Sequence, residues 1–462
     1  MILCEDNDKL AQGIVASQDS SCYKTMLSLK NQPDAEGVLS CSVLHNIFSA
    51  LQTTADGQLP TDADDSVLIP TLSNAVATFT PGQPEADGSG WSNPAEYQQL
   101  ALETLASIGT SLTVAMGGPA QAPPRKSGID ADRAAAEDED DEAMGDAEDG
   151  DQSEEEEGNG DADGMDEDNE MTQEEMEADM DMVTGLAEDD EEDNVDDLPV
   201  LKTLLKTALP QLIRIASSQP TDQVSMSMQG HALSALNNIA WSLSLFDFTD
   251  EHNSGIQNAW SPVAKSIWEQ VITPILASDT ADLTLATQVT SISWAVARAL
   301  RSRTPLQDGE HGKFITLYQA TKAAVSESPD DDDDDPFQSL GVKCIGVLGQ
   351  LAMDPCPVDR NREIGTFLVT VVASLPQTPA ADAVEAFNQL FDVYGNEEFS
   401  YDKNVFWANN FAKHLEEVVS KARAMAKSVD KKTQAELRLR ADEVVMNLTR
   451  FLSYKKKHAP AN

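Results

Sequence analysis

Apolar residues recur at intervals of three and four through most of this chain, the spacing that lays one face of an α-helix against a core. The pattern predicts helices over residues 38–51, 67–79 and 95–116. It resumes at 198–217 and 224–246 and continues through 260–276, 283–301, 314–325, 337–353 and 364–375. Three more helices are expected at 380–394, 405–429 and 434–454. The breaks carry loop chemistry, such as Ser218 to Pro220, Ser278 and Asp279, Pro329 through Pro336, Asp354 to Pro357, and Pro376 to Pro379. No alternating strand pattern bounded by hairpin turns is present, so the fold class is all-α.

A longer period lies over the short one. Segments near Ala101, Ala232, Gln288, Lys343, Ala386 and Glu443 share a loose small-apolar-x-x-apolar opening, as in Ala232, Leu233 and Leu236. After residue 198 the steps between them are 56, 55, 43 and 57 residues, one helical hairpin per step. Such a hairpin has two apolar faces and satisfies both only by stacking on neighbours. The expectation is an α-solenoid of armadillo/HEAT-like hairpins, the alternative being a globular bundle with accidental periodicity. The N-terminal part holds about two such units and opens without a polar capping helix. The chain is therefore expected to lack some N-terminal residues of the parent architecture.

Charge divides the array. The chain carries a formal net charge of −49, and residues 130–197 hold 35 Asp and Glu against one base, Arg133. With so few apolar residues and so much self-repulsion, this stretch reads as a disordered acidic loop. The expected organisation is 1–129, incomplete armadillo-like repeats; 130–197, acidic loop; 198–457, HEAT-like repeats with a basic C-terminal helix. Within the loop, Met176, Met180 and Val183 share one face if the segment turns helical, flanked by Glu175, Glu177 and Asp179. An adaptable Met face edged with acids suits a basic, partly apolar partner; an inert spacer with scattered apolar residues is the alternative.

Outside the loop the balance is about −15. Phosphate backbones need Lys/Arg surfaces, so direct nucleic-acid binding is not expected, and basic proteins are favoured as partners. The opposite sign gathers at 413–457, where 12 Lys/Arg stand against 6 Asp/Glu. That end reads as a cap with a solvated charged face, a contact for RNA or the acidic loop, or a short import signal. The run of six Asp at 330–335 lacks the Gly turn and terminal Glu of a calcium loop and reads as a solvated loop.

The five cysteines show no CxxC spacing and suit buried thiols in a reducing compartment. The N-terminus is no signal peptide, and the apolar run 364–375 is too short to span a bilayer, so a soluble intracellular protein is expected. The six histidines are scattered without metal-ligand spacing, and no nucleotide loop or nucleophile elbow occurs. No enzyme activity, catalytic residue, metal or cofactor is expected.

Binding residues are better indicated. Leu233, Leu236, Ala240 and Leu243 take one helix face, which leaves Asn238 and Trp241 together on another. One repeat later Trp294 and Arg298 stand at i and i+4. Asn and Trp repeated on the inner helices of a solenoid can hold an extended peptide, the amide pairing with its backbone and the indole covering its side chains. The alternative is that both indoles pack between repeats.

Several segments resemble the C-terminal repeats of the symportin family: AFNQLFDVYG (386–395), YDKNVF (401–406), HLEEVV (414–419), ELRLRADE (436–443) and FLSYKK (451–456). The similarity is looser at 232–241 and, before the acidic loop, rests on layout alone. The resemblance implies armadillo/HEAT repeats joined by an acidic loop, in a non-enzymatic adaptor that shuttles between cytoplasm and nucleus. It implies as partners the basic ribosomal proteins that bind 5S rRNA, carried with a transportin-class import receptor. An inner groove would take an extended peptide of one cargo, and the acidic loop would hold the other in place of rRNA. The family carries a basic Pro-Tyr import signal near its N-terminus; no Pro-Tyr pair occurs here, which puts direct receptor recruitment in question for this chain. The competing class is an acidic histone or nucleosome-assembly chaperone.

Overall fold

The computed structural model describes residues 8–16, 21–52, 63–81, 93–115, 195, 198–278, 282–325 and 335–460. The acidic-loop residues Glu175, Met176, Glu177, Asp179, Met180 and Val183 lie outside the described residues.

Among the described residues every regular element is helical. Before the loop come α1 (Asp8–Ala16), α2 (Ser21–Leu29), α3 (Ala35–Gln52), α4 (Ile69–Ala77) and α5 (Pro94–Ala115). After it, α6 joins Pro199–Thr203, a π-helical turn Leu204–Ala208 and Leu209–Ala216, followed by α7 (Gln223–Ser244). Helix α8 is built the same way, from Ser254–Ile267, a π-turn Trp268–Ile272 and Thr273–Ala277. Then come α9 (Leu283–Leu300), α10 (His311–Val325), α11 (Leu340–Ala352) and α12 (Val358–Ala373). The series ends with α13 (Ala380–Tyr394), α14 (Phe411–Ser428) and α15 (Ala435–Lys457).

Local chemistry explains the boundaries. Asp222 and Ser225 form a capping box at the start of α7, and Asp282 and Ser339 cap α9 and α11. The π-turns of α6 and α8 immediately precede Pro210 and Pro274. A proline has no N–H and its ring crowds the carbonyl four residues back, and a widened turn accommodates both.

The helices form two layers. Helices α5, α7, α9, α11, α13 and α15 pack directly one on the next, while α6, α8, α10, α12 and α14 back them and touch one another far less. The layer with continuous close packing is called the inner layer below. All six repeat openings predicted from sequence fall on this inner layer.

The inner layer runs straight across the acidic loop. Helices α5 and α7 make the most extensive helix pair of the structure. A side chain at Gly109 would place its Cβ 2.8 Å from Ile239 Cγ1, so glycine there lets the two backbones close together. Ser242 donates to the Gly109 carbonyl at 2.7 Å, and Asn238 Nδ2 donates to the Ala106 carbonyl at 3.1 Å and Thr110 Oγ1 at 3.0 Å. In the outer layer Arg214 of α6 donates to the Val76 and Phe79 carbonyls, each at 3.1 Å, closing the end of α4. Residues 8–115 and 198–460 therefore share one core.

The basic end is partly spent on the fold. Lys455, whose side chain is 1% exposed, pairs with Asp402 at 2.6 Å, and Trp407 Nε1 donates to the other carboxylate oxygen of Asp402 at 3.1 Å. The run 455–457 is thus not one open basic patch.

Gly109→Leu should force α5 and α7 apart and cost about 1–3 kcal/mol. Chemical denaturation checks the loss, and limited proteolysis should show faster cleavage within 93–115. Unchanged stability would mean that the loop-spanning junction is loose.

Candidate functional site

Helix α11 is small where its neighbours are large. A Cβ at Gly346 would lie 2.2 Å from the Trp294 ring, and one at Gly349 would lie 1.8 Å from Gln389 Oε1. Each glycine leaves space that a neighbouring helix fills, Trp294 of α9 at one and Gln389 of α13 at the other. The predicted pair on α9 sits here: Trp294 is half-buried over Gly346, and Arg298 is exposed one turn on. Trp241 of α7 meets Trp294 edge-on, with ring centroids 5.3 Å apart. Its Nε1 donates to Ser291 Oγ at 3.1 Å. The indoles therefore bridge successive repeats and also keep part of their surface open. Asn238 lies one turn before Trp241, with its amide protons directed to α5 as described above.

The sequence pattern missed the other half of this region. Glu385 and Asp392 stand at i and i+7 on α13, half-buried among apolar neighbours. Gln389, between them, donates to Glu385 at 2.7 Å, and Gln350 of α11 donates to Gln389 at 3.4 Å. Desolvation raises the Glu385 carboxyl to about 7 and the Asp392 carboxyl to about 6, against the pull of Arg298 on both. Arg440 of α15 also lowers Glu385, and its guanidinium lies 4.0 Å from the centre of the Phe337 ring. Burial works on Arg298 in turn, lowering its pKa, while Asp392 and Glu385 raise it. Both acids are thus half-buried and strongly desolvated. An i, i+7 pair of acids on a largely apolar helix, which also carries Asp382, Asn388 and Gln389, is the signal that could have found them.

A second polar cluster has the order of a catalytic relay. The hydroxyl of Ser107 on α5 donates to His45 Nε2 at 2.8 Å, and His45 Nδ1 donates to Asp65 at 3.0 Å. Acyl transfer also needs donors for an oxyanion. Ser107 sits inside a helix whose amides are already paired with carbonyls four residues back. His45 and Asp65 are 2% and 3% exposed, and the cluster serves to tie α3 and the turn Asp65–Val67 to α5.

Other residues fall where their chemistry places them. Cys41, Cys344 and Cys356 are buried, and Cys22 is exposed. Desolvation raises Cys41 to about 12 and Cys356 to about 11. Among the described residues no helix is long and apolar enough to cross a membrane.

A two-layer helical array whose inner face carries aromatic and charged side chains belongs to the repeat-solenoid class. A family model described as SYO1-like, TPR repeats matches residues 200–459. Symportin 1 of Chaetomium thermophilum is 47% identical over 468 residues, 99% of this chain and 69% of that one. The chain belongs to the SYO1-like, or symportin, family. The Schizosaccharomyces pombe armadillo repeat protein involved in nucleocytoplasmic transport Syo2 is 23% identical over 60% of this chain and 43% of its own length. Synchronized import protein 1 of Saccharomyces cerevisiae is 33% identical over 27% of this chain and 20% of its own.

The raised acids set a pH dependence. A carboxyl whose folded pKa lies above its unfolded value, near 4, costs stability when ionised. The cost is full above the folded pKa and gone below the unfolded one. Glu385→Gln should therefore raise Tm at pH 7.5, and its advantage should shrink steadily toward pH 4.5. Thermal melts of both proteins across that range check the sign; a variant less stable at pH 7.5 would contradict the desolvation account.

Proposed function

We propose that this chain is a non-enzymatic transport adaptor that binds basic ribosomal proteins of the 5S ribonucleoprotein and accompanies them from cytoplasm to nucleus. The observation that carries the reading is the edge-on pair of half-buried indoles, Trp241 and Trp294, with the half-buried acids Glu385 and Asp392 two inner helices further on. Such a surface suits an extended segment carrying both apolar and basic side chains. The named relatives support transport: one is described as acting in nucleocytoplasmic transport and another as an import protein.

The acidic loop supplies a second mode. Its excess of 34 negative charges attracts a basic RNA-binding surface in the place of rRNA. Exposed charges are screened beyond about 8 Å at physiological salt, so this capture is fast and salt-sensitive. The apolar side chains of Met176, Met180 and Val183 add contact that salt does not remove. Nuclear entry in this scheme uses a transportin-class receptor acting on the loaded adaptor.

Purified chain mixed with ribosomal proteins that bind 5S rRNA, and separately with core histones, tests the cargo. Ribosomal proteins should bind at physiological salt, and Trp241→Ala with Trp294→Ala should weaken that binding about tenfold or more, well below the variants' melting temperatures. Preferential histone binding would make the chain a histone chaperone. Affinity falling only in step with Tm would make the indoles packing residues.

A further inference from the structure

Helix α15 is the last helix described, and it packs on α13 and α14 with one face. Leu437, Val444, Leu448 and Phe451 are buried on that face. The opposite face carries Leu439, Met446 and Ser453, all exposed and seven residues apart. A step of seven returns to within about 20° of the same direction on a helix, so these three form one stripe. Leu439 and Met446 are 58% and 47% exposed, whereas every other Leu or Val of the helix is buried or half-buried.

A line of charge runs beside the stripe with the same spacing. It consists of Glu436, Glu443, Arg450 and Lys457, of which Glu443 is half-buried and the others are exposed. The order is acid, acid, base, base, which is its own complement when reversed. Two copies of α15 laid antiparallel about a two-fold axis beside Met446 set Glu443 of each against Arg450 of the other. The same axis sets Glu436 against Lys457, brings the two Met446 side chains together and lays each Leu439 over the second copy's Ser453.

We propose that this face of α15 binds the same face of a second copy of this chain, antiparallel, as a symmetric contact that joins two arrays. A parallel pair would set each charge against itself. The acidic loop is repelled by Glu436, Asp442 and Glu443, and a basic segment is repelled by Arg450 and Lys457. Each half of the line thus rejects a partner of one sign, and a second copy satisfies both halves. The ion pairs already on the helix are surface ones: Glu436 with Arg440, Asp442 with Arg438 at 2.8 Å, and Lys456 with Glu416 at 3.1 Å. Exposed pairs of this kind contribute little and re-form easily with a new partner. The contact uses none of the residues assigned to cargo, so self-association and cargo binding are separable. One helix against its copy buries less than the roughly 1,600 Å² of a standard stable interface, so the dimer should exchange with monomer.

Sedimentation equilibrium of the whole chain in physiological salt, from about 1 to 100 µM, tests the contact. Wild type should pass reversibly from monomer to dimer across that range. Glu443→Arg sets Arg against Arg450, and Arg450→Glu sets Glu443 against Glu. Each variant alone should dimerise about tenfold or more weakly, with a Tm matching wild type. Mixed together, the two should associate about as strongly as wild type, because each supplies the charge that the other lacks. Met446→Glu, which places two acids at the axis, should remove dimerisation. A chain that stays monomeric throughout leaves the face to the acidic loop or to another protein and overturns the proposal. A dimer that none of the three single variants weakens, or a mixture that restores nothing, overturns it as well.

Discussion

Everything in this molecule depends on one packing constraint, that each helical hairpin must bury a face on each side. The place where the constraint is hardest to meet is the α5–α7 contact, because the acidic loop lies between the two helices in sequence. The chain meets it with a glycine at the closest approach and with Asn238 and Ser242 bonded back onto α5. Polymer physics makes this arrangement affordable: closure entropy grows only logarithmically, so each doubling of an insertion costs about 0.6 kcal/mol. A long polyanion can thus be carried within the sequence while the core on either side remains one.

Two kinds of negative charge follow from that layout. The loop carries most of the formal charge at positions where the sequence gives no apolar support, so its effect is long-ranged and screened. Glu385 and Asp392 carry far less charge, but they hold it half-buried, where desolvation amplifies each interaction. The first kind favours encounter, the second discrimination. Their coexistence on one chain fits the adaptor role proposed above.

Much of the fold was legible because the inner helices obey one rule. Their apolar spacing is continuous, and their small-residue openings mark where backbones approach. Helix 380–394 was readable to the residue, since Pro379 and Gly395 flank it. The pattern overran at 405–429, where a π-turn Asp402–Trp407 and Asn410 at φ 55° separate α14 from what precedes it. Periodicity cannot see such a break, because apolar residues continue through it. Helices α1 and α2 went unread because nine residues give too few turns to establish a period. At the site, Trp241, Trp294 and Arg298 stood out by residue type. Glu385 and Asp392 did not, because their significance comes from the glycines of a different helix.

The central claim is that cargo lies along the inner helix layer. Hydroxyl-radical footprinting of the chain, alone and with the ribosomal proteins that bind 5S rRNA, tests it most directly. Trp241 and Trp294 are half-open in the free chain, and His414 of the outer helix α14 is an exposed control. The account predicts that cargo slows oxidation of both indoles and leaves that control unchanged. Protection of the control with the indoles unaffected would place cargo elsewhere and contradict it.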